Sequence, residues 1–251
     1  MQKGFYKGFT LVEVLAAMAI FTTVAALVLP SLYSGAQNRR LAGSLGRSVE
    51  TIETGCQVLI QDMNSQQKDG EFFGHYTIHK DMDGKSALNG MNDSIVTKSN
   101  LFNLAARYFD VTPLTAAETN AYTASVHSFN GGNPSPSVSD IAINFAKHSK
   151  WGAYYGVRFV KVGFMRPFGG YELIYIDVNG ENTPNKYGRD IFLFELDDSC
   201  HMIPAGSQRL ATRTNNAVPL EARGCSGNAN SIINGLSCTS RVIRDGYKME
   251  Y

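Results

Sequence analysis

Three groups of residues in this 251-residue chain have types and spacings that could do chemistry. The first is Glu13, the only charge in a 21-residue apolar run, FTLVEVLAAMAIFTTVAALVL, from Phe9 to Leu29. A carboxylate inside such a run costs about 2.5–3.5 kcal/mol on membrane-insertion scales, so it marks a site that needs the charge, unless it snorkels to the interface. The second group is Asp177, Asn179 and Glu181, with Asp190 further on. Oxygens at alternate positions match the early spacing of a calcium loop, because hard cations collect several oxygens. The match breaks at its twelfth position, which is Gly188, and Asp190 comes two residues late. The favoured reading is a long hairpin loop whose Asp and Asn side chains cap their own backbone, with calcium as the alternative.

The third group is Cys56, Cys200, Cys225 and Cys238, an even set without the C-x-x-C spacing of zinc or thioredoxin-like sites. On an oxidising side of a membrane these cysteines pair. Cys225 and Cys238 bracket a short polar loop whose closure contributes about 3 kcal/mol, which favours that pair together with Cys56–Cys200. Cys200–Cys225 is the rival pairing, and free buried thiols are the alternative to any pairing. Enzyme motifs fail on inspection. His75 and His79 are four apart without helical periodicity or a glutamate neighbour. Gly84-Lys85-Ser86 matches only the end of a phosphate-binding loop, and Ala42-Gly43-Ser44-Leu45-Gly46 lacks the first glycine of a nucleophile elbow. The sequence is read as non-enzymatic and without a cofactor, calcium at the second group being the alternative.

The elements that must position these residues begin with the apolar run. At 1.5 Å per residue its 21 residues span a hydrocarbon core of about 30 Å. No Gly or Pro interrupts it before Pro30. Lys3 and Lys7 precede it and orient the N-terminus toward the cytoplasm, although Arg39 and Arg40 beyond it weaken the asymmetry. Leu32, Ala36, Leu41, Leu45, Val49, Ile52, Cys56, Leu59, Ile60 and Met63 then recur mostly at steps of three or four, one face of a helix. Residues 64–100 read as polar loops, and short helices are expected over 101–108 and 115–123. Segments 151–163, 170–178 and 190–197 are rich in Tyr, Phe, Val and Ile and bounded by turn residues, as strands are. Their order predicts an α+β fold in which a long N-terminal helix precedes a C-terminal antiparallel meander.

Lys7-Gly8-Phe9-Thr10-Leu11-Val12-Glu13, with the apolar span behind it, resembles the cleavage and methylation signature of type IV pilins and type II secretion pseudopilins. The resemblance implies cleavage between Gly8 and Phe9 by a prepilin peptidase, which then methylates the new Phe9 amine. It implies that Glu13 sets subunit registry by neutralising the amine of a neighbour, and that Pro30 kinks the helix. The parts implied are a leader at 1–8, a membrane and fibre-core helix at 9–29, its amphipathic continuation at 30–68, and a globular head at 69–251. The loop after Asp177 and the tail from Cys238 are also similar to those of pseudopilin-like proteins, some of which hold calcium in a loop after their strands. Such tails often carry Trp after the Gly where this chain has Tyr247. Implied partners are other pilin-like subunits, identical or different, an assembly ATPase and a membrane platform protein. The head would lie on the outer side of the cytoplasmic membrane.

Net charge is +1, with 23 basic and 22 acidic residues, and offers no broad face for nucleic acid. Taking Lys3 and Lys7 away with the leader leaves 21 basic against 22 acidic, a formal −1. Three alternatives compete with a secretion pseudopilin. One is a subunit of a type IV or competence pilus. Another is a periplasmic enzyme or binding protein that uses the segment only as an anchor. The third is an ordinary secretory signal cut after Ser34-Gly35-Ala36, although a 21-residue core with a carboxylate is long for one.

Overall fold

A computed structural model of the chain describes residues 10–65, 79–80, 86–87, 101–129, 142–161, 170–183, 185–197, 199–214, 218–226 and 234–249. Gly8 and Phe9 lie outside these residues, as do most of 64–100 and the turn-rich segment after Phe129. The chain divides into two compact units, Met1–Arg40 and Leu41–Tyr251.

Helix α1 runs from Leu11 to Ser65 and contributes to both units. Thr10 stands before it as the N-cap, and Leu, Ala, Met and Val carry the helix to Pro30. Pro30 lies inside α1 and has no N–H to offer the carbonyl four residues earlier. In the first unit the apolar side chains of α1 face outward, from 44% exposed at Val14 to 75% at Leu11, Phe21 and Leu27. In the second unit Leu41, Leu45, Val49, Ile52, Cys56 and Leu59 are buried, each three or four residues after the last. These are the positions that the helical periodicity picks out.

The second unit is a six-stranded antiparallel sheet in strict chain order. A two-residue pair, β1 (His79–Lys80) and β2 (Ser86–Ala87), comes before it in the chain. The sheet strands are β3 (Val111–Pro113), β4 (Ala142–His148), β5 (Tyr154–Lys161), β6 (Gly170–Asp177), β7 (Ile191–Leu196) and β8 (Met202–Pro204). Short helices α2 (Leu101–Leu104), α3 (Ala106–Phe109) and α4 (Ala116–Ala124) precede β4, with β3 between α3 and α4. Helices α5 (Gln208–Arg213), α6 (Glu221–Gly224) and α7 (Cys238–Arg244) follow β8. The fold is α+β, a long helix followed by a meander.

Both faces of the sheet are covered. Ala146, Tyr155, Val157, Ile174, Ile176, Phe192, Phe194 and Leu196 share one cluster with the buried face of α1. Phe145, Tyr154, Leu173, Tyr175, Ile191 and Leu193 share a second with Tyr122, Leu210, Val218 and Leu236. Two-sided burial leaves β7 with every residue buried, including Glu195, whose Oε1 meets the Arg213 guanidinium of α5 at 2.7 Å. The close approach of α3 to α1 depends on Gly55, where a Cβ would stand 2.6 Å from the Tyr108 carbonyl oxygen. The disulfide Cys56–Cys200 ties α1 to the turn after β7 across 144 residues, and Cys225–Cys238 joins the end of α6 to the start of α7.

Two elements depart from the sequence expectations. The first expected strand begins at Tyr154 and not at Trp151, because Trp151 ends a turn in which Gly152 takes a positive φ. Strand β4 carries a register shift between Ile143 and Ala146, and an irregularity of this kind spoils the period-2 alternation that makes a strand readable. The tail from Cys238, read as a terminal strand or a short helix, is the helix α7 over Cys238–Arg244.

Candidate functional site

The N-terminal site is built on the first turn of α1. The Thr10 N–H and the Thr10 hydroxyl both donate to Glu13 Oε2, at 2.8 and 2.9 Å. In return the Glu13 N–H donates to Thr10 Oγ1 at 3.2 Å. This is a capping box, in which two N–H groups that have no partner inside the helix are satisfied reciprocally. Glu13 Oε1 takes no hydrogen bond among the described residues. The other hydroxyls of the apolar stretch are self-contained. Thr22 donates to the Met18 and Ala19 carbonyls and Thr23 to the Ala19 carbonyl. Glu13 is therefore the one group in this stretch with bonding capacity left over and a charge to neutralise. Thr10 is the partner that sequence reasoning quoted without giving it a role; its signal, Thr-x-x-Glu ahead of an apolar run, was readable.

The second candidate is the β6–β7 loop. Asp177 is fully buried at the end of β6. Its Oδ1 accepts the N–H groups of Asn179 and Gly180 at 3.0 and 2.8 Å, and its Oδ2 accepts the Tyr122 hydroxyl at 2.5 Å. Tyr122 gives its only proton to Asp177, so Tyr175 is the donor in the 2.8 Å contact between the two phenols. Gly180 holds a positive φ, and a Cβ there would collide with the Gly152 carbonyl. Asp190, also fully buried, accepts the Lys186 N–H on Oδ1 at 2.5 Å and the Asn185 N–H on Oδ2 at 2.9 Å. Glu181 turns away from both, with Lys147 Nζ at 2.8 Å and the Tyr154 hydroxyl at 2.7 Å on its Oε1.

Burial governs the electrostatics of this loop. Loss of water pushes the Asp177 carboxyl well above its ordinary range, and the neighbouring Asp190 charge adds to the push. Burial also raises Asp190, to about 6, against the pull of the backbone N–H of Lys186. Hydrogen bonds from Lys147 and Tyr154 hold Glu181 below its usual range. The structure thus brings Asp177, Asn179 and Asp190 into one corner and gives Glu181 to the strand surface.

A protein-family model described as the prokaryotic N-terminal methylation motif matches residues 2–29. This is the signature of type IV pilins and pseudopilins, and it covers the leader, the Gly8–Phe9 junction, Glu13 and the apolar span. No curated protein and no solved structure matches the chain.

Proposed function

We propose that this chain, which carries the type IV pilin-like signature at its N-terminus, is a fibre subunit of a type II secretion pseudopilus. One observation carries the reading: apolar exposure is divided unevenly between the two units. Thirteen large apolar or aromatic side chains between Leu11 and Tyr33 are exposed. Beyond Tyr33, only Val58 and Trp151 are so among the described residues. Covering a side chain of this size stabilises by about 1.5–3 kcal/mol, so the first unit leaves on the order of 20–40 kcal/mol of burial unrealised. Lipid satisfies that demand before assembly, and the helices of neighbouring subunits satisfy it afterwards.

The order of events follows from the chemistry. Cleavage after Gly8 creates an α-amino group on Phe9, and methylation keeps it a cation. In the apolar bundle this amine and the Glu13 carboxylate of a neighbour neutralise each other, which makes each tolerable where either alone is costly. The head faces the outer side of the cytoplasmic membrane, where the two disulfides form. An assembly ATPase acts from the cytoplasm through a platform protein. Mass spectrometry of the mature chain tests the processing: it should start at Phe9 and carry one methyl group. A start at Gln37 would sink the fibre reading. Co-purification with a secretion ATPase and an outer-membrane secretin separates the pseudopilus from a pilus or competence fibre, which retains the same Glu13 chemistry.

A further inference from the structure

We propose that the β6–β7 loop is locked by the chain's own hydrogen-bond donors and by the Lys147 ammonium, in place of the divalent cation that the resemblance implies for it. Calcium requires six to eight oxygens at about 2.3–2.6 Å, with lone pairs free to point at it. An ionised carboxylate offers about four lone-pair sites. Asp177 commits three of them, to the N–H groups of Asn179 and Gly180 and to the Tyr122 hydroxyl. Asp190 commits two, to the N–H groups of Lys186 and Asn185. The Asn179 side chain donates its NH2 to the Asn182 carbonyl at 2.8 Å, a bond within the loop itself. Asn179 Oδ1 is buried without a partner, and it is the one oxygen of the four side chains so placed.

Glu181 completes the case from the opposite side. Lys147 and Tyr154 are paired across β4 and β5, and this register brings both polar ends to one oxygen, Glu181 Oε1. The Lys147 ammonium, 2.8 Å from that oxygen in a partly exposed pair, supplies positive charge there and disfavours a second cation. Among the described residues no three His, Cys, Asp or Glu side chains gather in a group that could hold a metal ion. The loop is also pinned without a cation. The Asn185 carbonyl accepts the His127 N–H at 2.8 Å, and the Tyr187 N–H donates back to the His127 carbonyl at 3.1 Å.

The test uses the full chain in detergent micelles, melted with millimolar calcium or with chelator and titrated with calcium in a calorimeter. The expected result is the same midpoint in both and no heat of binding. Calcium bound at a hundredfold below its added concentration would raise the midpoint by roughly 5–11 °C. Lys147→Met should lower the midpoint, and calcium should not restore it. A calcium-induced rise in the wild-type chain, or recovery of Lys147→Met by calcium, overturns the inference. Neither outcome bears on Glu13 or on fibre assembly, so the two readings fail separately.

Discussion

Glu13 caps the first turn of α1 and, in the fibre proposed above, would also neutralise a neighbour's amine; a pair of substitutions separates the two roles. In the single subunit its Oε2 takes the Thr10 N–H and hydroxyl, and the Thr10 hydroxyl takes the Glu13 N–H. Thr10→Ala removes the cap and leaves the carboxylate. Loss of an N-cap costs about 0.5–2 kcal/mol, paid in fraying of the first turn, which lies in the apolar unit and far in sequence from the core. Glu13→Gln is the converse: it retains an oxygen for the Thr10 donors and removes the charge. A methylated Phe9 amine left unpaired in a bundle of apolar helices costs about 3–5 kcal/mol, the range for breaking a buried ion pair. A loss of that size at every subunit added lowers the assembly equilibrium by roughly two to four powers of ten at each step. The assay is shearing of fibres from cells, quantified against total subunit, beside membrane flotation and melting of the detergent-solubilised chain. Thr10→Ala should assemble at reduced yield. Glu13→Gln should insert in the membrane, melt at the wild-type temperature and form no fibres. Wild-type fibre yield from Glu13→Gln, or complete loss from Thr10→Ala with the charge intact, would refute the division of roles.

The second unit supplies three further tests. Asp177 and Asp190 are both raised by burial, so the folded state holds their protons more tightly than the unfolded chain. For Asp190 that stability is present below about pH 4 and is lost as pH rises through about 6, worth about 1 kcal/mol between pH 5 and 7.5. Burial lowers His148, which runs in the opposite sense over the same window. Melting wild type and Asp190→Asn side by side isolates the Asp190 share as the difference in slope, and an equal slope in both would falsify it. Gly55→Ala places its methyl 2.6 Å from the Tyr108 carbonyl oxygen and should cost about 1–3 kcal/mol. Gly43→Ala meets nothing within 4 Å and should gain up to about 1 kcal/mol of helix propensity, so opposite shifts in midpoint are expected. Loop-closure entropy assigns about 5 kcal/mol to Cys56–Cys200 and about 3 to Cys225–Cys238, so the Cys200→Ser variant should melt below Cys225→Ser.

What the sequence made legible follows from how many residues carry each signal. The buried face of α1 from Leu41 to Leu59 repeats six times at helical spacing, and it survives Gly43, Gly46 and Gly55 because packing outweighs their propensity. Strands β6 and β7 are dense in Tyr, Ile, Phe and Leu because both faces of the sheet are covered, and a run of that kind is visible without alternation. Strand β4 was not read, since its register shift breaks the alternation within seven residues. The edge strands β3 and β8 have three residues each, and their partners are distant in sequence or set by the turn before them. In the β6–β7 loop the spacing showed oxygens without showing their orientation. Whether Asp177 points a free lone pair at a cation or closes a turn on Asn179 and Gly180 depends on Gly180 and Tyr122, and Tyr122 lies 55 residues away.

Two-sided burial also constrains where one subunit can hold another. Among the described residues, the second face of the sheet is already covered by Tyr122, Leu210, Val218 and Leu236. Glu195, the polar residue of that face in β7, is closed over by Arg213 at 2.7 Å, and Asp197 is approached by Arg209 at 3.8 Å. Arginines four apart on α5 meet carboxylates two apart on the strand, because four helical rises of 1.5 Å and two strand rises of about 3.3 Å nearly coincide. In the proposed fibre, cohesion between subunits rests on the apolar length of α1 from Leu11 to Tyr33, with Glu13 as the charge proposed to set its register. A Leu→Asn substitution at Leu15 or Leu27 should therefore weaken fibres more than any single substitution at the exposed residues of α5 or α7. Sheared-fibre yield across such a panel decides the matter, and a fibre defect that tracks Arg209 or Arg244 with the helix variants unimpaired would place the cohesive surface on the head.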